Sequence, residues 1–271
     1  RIKTHKGHAD SNMNEAKRRD ASQARWEGHV KLGTFWALHR GAVGDNCAHA
    51  HHALQLSAAG RALRIGFGAK PIVVPGIFIA SMRRHSMTPT RDTVNLYVDA
   101  ASAVGRWLAK LFASRSDQLE SREVAALRQL DPATVDDDAV MRCLRQVPAT
   151  EIGVARPLDA RLARALELAE RELEQPLSLR RISKDVKLSQ GRLSRLFHSE
   201  LGLPYRPYRR WRRVQKAFLL LERGANLTEA AIGAGFCDQA HFSRTIRSVF
   251  GVPPSAVAAL LQTRTADSFK R

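Results

Sequence analysis

The sequence predicts a two-domain α+β protein: a small β-barrel with accompanying helices at the N-terminal end, then an all-α domain built from a repeated unit. Residues 28–93 contain short apolar runs such as Ile72-Val73-Val74 and Ile77-Phe78-Ile79, cut by Gly60, Gly66, Gly68, Pro71 and Pro75. Punctuation at that density suits short strands joined by turns. After Val94 the apolar residues move to helical spacing, and in the final third one block of sequence recurs. A chain of 271 residues is long for one domain and comfortable for two.

Lys and Arg number 44 against 26 Asp and Glu, a formal net charge of +18. Such an excess attracts polyanions, nucleic acid first among them. Hydrophobic residues make up 44% of the chain, which argues against wholesale disorder, and the best apolar run, residues 72–82, falls well short of the roughly 18 residues a membrane span needs. Cys47, Cys143 and Cys237 form no CxxC pair, so neither a disulfide framework nor a cysteine zinc site is indicated and a cytoplasmic location fits.

In chain order, residues 1–27 read as a polar tail without the apolar core of a signal peptide. The sequence begins with Arg, which leaves an upstream targeting segment open. Residues 28–147 make the first domain: strands, then two or three helices signalled by Val104, Trp107, Leu108, Leu111 and Phe112, by Val124, Leu127 and Leu130, and by Val140, Leu144 and Val147. Acids outnumber bases between Asp117 and Glu151, so this helical connector is unsuited to lie on DNA. Residues 148–156 read as a linker, 157–262 as the second domain and 263–271 as a short tail. The second domain opens with a helix near 158–173, Leu162, Leu166 and Ala169 inward, stopped by Pro176.

A shift of 49 positions lays Gln190-Gly191-Arg192-Leu193-Ser194-Arg195 over Gln239-Ala240-His241-Phe242-Ser243-Arg244, and pairs Phe197 with Ile246, Gly202 with Gly251 and Pro204 with Pro253. In each copy the apolar residues, Leu193/Phe197/Leu201 and Phe242/Ile246/Phe250, form one helical stripe. Ser189 and Asp238 are expected N-caps, and Gly202 and Gly251 stand where a left-handed residue ends a helix. Upstream, Ser178 should cap a short helix with Leu179, Ile182 and Val186 inward, and Thr228 one with Ala231 and Ile232 inward. Each copy is therefore helix, turn, helix, whose second helix fits a B-DNA major groove. Between the copies Pro207 should start a long helix with Trp211, Val214, Phe218 and Leu221 inward and Gly224 at its end. Its outer face carries Arg206, Arg209, Arg210, Arg212, Arg213 and Lys216 and no acid.

These residues resemble the DNA-binding domain of the AraC/XylS family of bacterial transcription regulators, in which one long helix joins two helix-turn-helix units. The resemblance covers residues 157–260. It is most specific at Gly235-Phe236-Cys237-Asp238-Gln239-Ala240-His241-Phe242-Ser243-Arg244 and Phe250-Gly251-Val252-Pro253-Pro254, and Leu193-Ser194-Arg195-Leu196-Phe197 agrees. Two departures stand out: Gly191 presents no side chain where members often have one, and Ala256-Val257-Ala258 replaces aromatic and basic residues. The resemblance implies an AraC-type, homeodomain-like double helix-turn-helix domain. In it Arg192, Ser194 and Arg195, then Gln239, His241, Ser243, Arg244 and Arg247, face DNA, while Arg209, Arg210, Arg212 and Arg213 position it through phosphates.

Gly44, His49, His51, Gln55 and Gly60 approximate the first motif of cupin barrels, with Gln55 where a metal-binding carboxylate would stand and Phe78 where a later histidine would. The ligand set is broken, so a cupin-like sensing or dimerisation domain with no metal, cofactor or catalytic residue is expected. Expected partners are a double-stranded DNA operator, RNA polymerase, a small-molecule effector and a second copy of the chain, with no membrane. Activation and repression both stay open. The rival reading is a metal-dependent cupin enzyme using His49, His51, His52 or His85, its basic domain tethering it to nucleic acid. A charge-driven, nonspecific binder of nucleic acid or anionic membrane is a weaker rival.

Overall fold

The computed structural model describes residues 25–44, 46–68, 70–147 and 157–268, with side chains up to Leu261. Most of the expected N-terminal tail and the whole expected linker, 148–156, lie outside the described residues. Six strands form one antiparallel sheet: β1 (Glu27–Leu32), β2 (Trp36–Val43), β3 (Leu54–Gly66), β4 (Pro71–Ile79), β5 (Ser86–Met87) and β6 (Thr90–Val98). Their order is β1-β2-β6-β3-β4, with β5 also on β3. The sheet is open, not the closed barrel expected: β1 and β4 do not pair, and both remain edges. Pro75 lies inside β4 instead of separating two strands. Lacking an N–H, it is tolerated because β4 is an edge and the β3 register shifts between Ala58 and Leu63 opposite it.

Three helices follow, α1 (Ala103–Phe112), α2 (Ser121–Arg128) and α3 (Asp137–Gln146). They cover one face of the sheet, burying Leu108, Phe112, Leu127, Val140 and Leu144 against Leu38, Leu56, Phe78 and Leu96. Phe78 and Phe112 stack with ring centres 3.8 Å apart. Fully burying a side chain of this size contributes about 1.5–3 kcal/mol. Buried Glu123 takes both oxygens to Arg115, at 2.6 and 3.0 Å, so its charge is matched.

The second domain contains α4 (Ala160–Arg171), α5 (Leu179–Asp185), α6 (Gln190–Leu201), α7 (Tyr205–Glu222), α8 (Leu227–Gly233), α9 (Gln239–Phe250) and α10 (Pro254–Ser268). One core gathers Leu162, Ile182, Leu193, Phe197 and Tyr208; another gathers Val214, Leu221, Ala231, Phe242 and Ile246. Three local details differ from expectation. The α7 helix starts at Tyr205, so Pro207 sits in its first turn, where a missing N–H removes no intrahelical bond. Asn226, not Thr228, caps α8, because its side chain reaches the backbone of Glu229 while Glu229 reaches back in a capping box. Ile232 is 54% exposed, and Ala230, Ala231 and Ala234 fill the interior instead.

The sheet docks on the second unit. Val30, Leu32 and Tyr97 pack with Phe218, Phe250 and Val257, and Ala53 is part of that core. Small residues at Ala256-Val257-Ala258 let α10 lie against β1, which gives the sequence departure there a structural reason.

Candidate nucleic-acid interface

The two recognition helices, α6 and α9, are built alike. Ser189 accepts from the Arg192 N–H and Asp238 from the His241 N–H, satisfying first-turn donors that would otherwise be unpaired. Both end on a glycine in the left-handed region, Gly202 at φ 71° and Gly251 at φ 70°. The stripes Leu193/Phe197/Leu201 and Phe242/Ile246 are buried, so the remaining faces turn outward. Arg192 and Arg195 on α6 and Gln239, Arg244 and Arg247 on α9 are exposed; Ser194, His241 and Ser243 are half-buried. Gln239 is oriented by Thr228, whose hydroxyl donates to its Oε1 at 2.8 Å. His241 rests edge-on against Phe236, ring centres 5.3 Å apart.

A broad open concavity of about 1080 Å³ runs between the units, lined by Ser194 and Gln190 of α6, His241 of α9, and Arg206, Arg209, Arg210 and Arg213 of α7. Its lining contains no acidic residue. The structure thus brings both units to one basic surface. Gln190 was not among the expected DNA-facing residues, although the 49-residue register that pairs it with Gln239 was the signal for it.

The four α7 arginines are not equivalent. Arg210 is exposed. Arg209 donates to the carbonyls of Glu172, Leu173 and Leu177 at 2.8, 3.0 and 3.3 Å, and to that of Gln175, thereby tying down the turn after α4. Arg213 Nε donates to the Leu173 carbonyl at 2.9 Å. Burial, and after it the neighbouring Arg209 guanidinium, lowers the Arg213 pKa from its ordinary value. Arg212 is bound to Glu170 and Asp99. Much of the donor capacity of Arg209, Arg212 and Arg213 is therefore spent inside the protein, which leaves Arg206 and Arg210 as the freer charges of the groove.

An antiparallel sheet docked on two joined helix-turn-helix units defines a two-domain helix-turn-helix protein. Residues 182–259 match a family model described as a helix-turn-helix domain. The chain is 34% identical over 95 residues to the HTH-type transcriptional regulator GbdR of Pseudomonas aeruginosa, covering 35% of this chain and 26% of that protein. It is 29% identical over 127 residues to the arabinose operon regulatory protein of Escherichia coli, covering 46% and 43%. The match thus spans less than half of either relative. In fold, ToxT from Vibrio cholerae superposes with a TM-score of 0.57 at 13% identity, covering 84% of this chain and 100% of that one. Residues 182–259 thus form a helix-turn-helix domain similar to those of these regulators.

Proposed function

We propose that the protein is a sequence-specific DNA-binding transcription regulator and not an enzyme. The observation that carries this reading is the shared basic concavity onto which both recognition helices open. Arg195 and Arg244 occupy equivalent exposed positions, and each reads a base edge or an adjacent phosphate in its own major-groove segment, the segments lying about one turn, roughly 34 Å, apart. Arg192, Ser194, Gln239, His241, Ser243 and Arg247 surround them, and Arg206 and Arg210 neutralise phosphates. The sheet domain modulates the reader through a ligand or partner. Its docking against α9 and α10 supports that part, and one ToxT structure of the same fold is described as bound to an unsaturated fatty acid. No helix of the described residues is long and apolar enough to cross a membrane.

The test is selection of bound genomic fragments by the purified chain, followed by a competition gel shift at fixed salt. The reading expects a recurring site that resists scrambled competitor; equal competition by any duplex would leave only charge-driven binding.

A further inference from the structure

Beside the sheet's contact with α9, His49, His51 and His85 converge, each buried and each offering a ligand nitrogen within 4.8 Å of the others. Their Nδ1 atoms are engaged in the same way: Nδ1 of His49, His51 and His85 lies 2.8 Å from the carbonyls of Cys47, Ala53 and Arg83 respectively. A carbonyl can only accept, so every Nδ1 carries the proton and every Nε2 presents a lone pair. Backbone-held imidazoles of this kind are the supporting arrangement of metal-binding histidines. The Nε2 of His85 is buried without any hydrogen-bond partner, and the residue is 1% exposed.

A second observation comes from the buried polar chain behind His51. The His39 Nε2–H donates to the Glu27 carbonyl at 3.1 Å, and its Nδ1 accepts from Asn95. Asn95 Oδ1 accepts from Ser57 at 2.7 Å, and Ser57 accepts from the Gln55 amide at 2.7 Å. Gln55 Oε1 then faces His51 Nε2 at 2.9 Å, acceptor against acceptor. The chain is anchored on carbonyls at both ends, so turning an amide over only moves the mismatch along it. One positive centre is missing. An extra proton on His39 would be one way to supply it, but burial lowers that imidazole to about 4.

We propose that His49, His51 and His85, with the amide oxygen of Gln55, bind a divalent first-row transition-metal ion. Imidazole donors suit such ions, and the three nitrogens, all within 4.8 Å of one another, stand near the spacing of roughly 3.4 Å that donors take around a four-coordinate ion. Two guanidiniums stand near the site, Arg83, whose charge is partly offset by its pairing with Asp117, and Arg84 on the His49 side. Any consequence for DNA rests on the functional reading above: His51 stacks on Phe250 at 6.1 Å, and the Gly251 carbonyl accepts the Cys47 N–H, so the site abuts the end of α9.

The test titrates the chelator-treated full chain with Co²⁺, read by visible absorption, then displaces it with Zn²⁺. One saturating equivalent is expected, kept when His5 and His8 of the N-terminal segment are replaced by alanine. Binding should weaken by more than about a hundredfold in His49→Ala and His85→Ala, a larger effect than removal of a supporting hydrogen bond alone. Gln55→Glu, which adds a charge without removing a ligand, should tighten it. No saturable absorption, full binding in a His49→Ala/His85→Ala variant with native circular dichroism, or unchanged affinity in Gln55→Glu overturns the site. The DNA consequence is read separately, as a change in operator affinity on adding Zn²⁺ to the wild type; equal affinity overturns that consequence and leaves the metal result as measured.

Discussion

Arg212 reaches across the domain boundary to Asp99 at 3.2 Å while its Nε and Nη2 hold both carboxylate oxygens of Glu170 at 2.8 and 3.0 Å. Asp99 ends the strand region of the first domain, and Gln215 also donates to it at 3.3 Å. One guanidinium thus ties the sheet, α4 and α7 together. With side chains 10% and 29% exposed, Asp99 and Arg212 are shielded enough for the contact to matter. Asp99→Ala should lower stability by about 1–2 kcal/mol, and a double-mutant cycle with Arg212→Ala should return a coupling near 1 kcal/mol. Additive effects in denaturant unfolding would mean that the contact does not join the domains.

Arg195 and Arg244 are exposed and make no contact on which the core depends. Replacing both with alanine should change stability by no more than about 0.5 kcal/mol. Preference for the selected operator should fall by about 1–3 kcal/mol for each bidentate arginine–base pairing that the substitutions remove. Gel shifts against scrambled duplex check this; undiminished preference in the folded double variant would remove both arginines from base reading.

What the sequence made legible was local. The repeat register, the Ser189 and Asp238 caps and the two terminal glycines depend on residues a few positions apart, so spacing revealed them. The misplaced α8 cap is a local error too, since Asn226 and Thr228 are both competent caps and only the capping box with Glu229 separates them. The missed features are long-range. Whether strands close into a barrel depends on β1 meeting β4, and neither strand's own pattern encodes its edge. His85 joins His49 through a backbone bridge across the fold, so His-x-His spacing could not specify it. The row of α7 arginines looked uniform in sequence, yet partners on α4 and the turn after it divide their roles.

That division predicts opposite phenotypes for adjacent residues. Arg209→Ala removes one donor from each of four backbone carbonyls, of which those of Leu173 and Leu177 keep Arg213 and Tyr205, and should destabilise the protein by about 1–3 kcal/mol. Arg210→Ala should leave the melting curve in place and lower DNA affinity for all sequences alike, reducing the slope of log affinity against log salt by about 0.9. Thermal melts and salt-titrated gel shifts of the pair decide it; equal salt slopes in both variants would contradict the assignment.

Acid should destabilise the protein in part through His39, one of several histidines that burial holds neutral. Burial, partly offset by its bond to the Glu27 carbonyl, lowers the His39 pKa to about 4. Between pH 4 and the unfolded value near 6.5 the unfolded chain takes a proton that the native state refuses. Its contribution is complete above pH 6.5 and is lost as pH falls toward 4, up to about 3 kcal/mol. His39→Gln should flatten the pH dependence of unfolding free energy in that window by as much as about 1.4 kcal/mol per pH unit. An unchanged slope would assign the acid lability to other groups.

The duplicated glycines separate backbone strain from crowding. Gly202 and Gly251 share φ near 70°, so alanine at either should cost about 1–2 kcal/mol in the left-handed region. Around Gly202 there is open space, whereas a Cβ at Gly251 would collide with the Cys47 carbonyl oxygen and come within 2.9 Å of His49 Nδ1. The Cys47 carbonyl is backbone, so the loop must retreat and break the Cys47 N–H bond to the Gly251 carbonyl, 3.1 Å long. Gly251→Ala should therefore cost at least about 1 kcal/mol more than Gly202→Ala, an extra drop of about 2–4 °C in Tm for a chain of this size. Equal melting temperatures for the two variants would mean that the histidine loop does not bear on the end of α9.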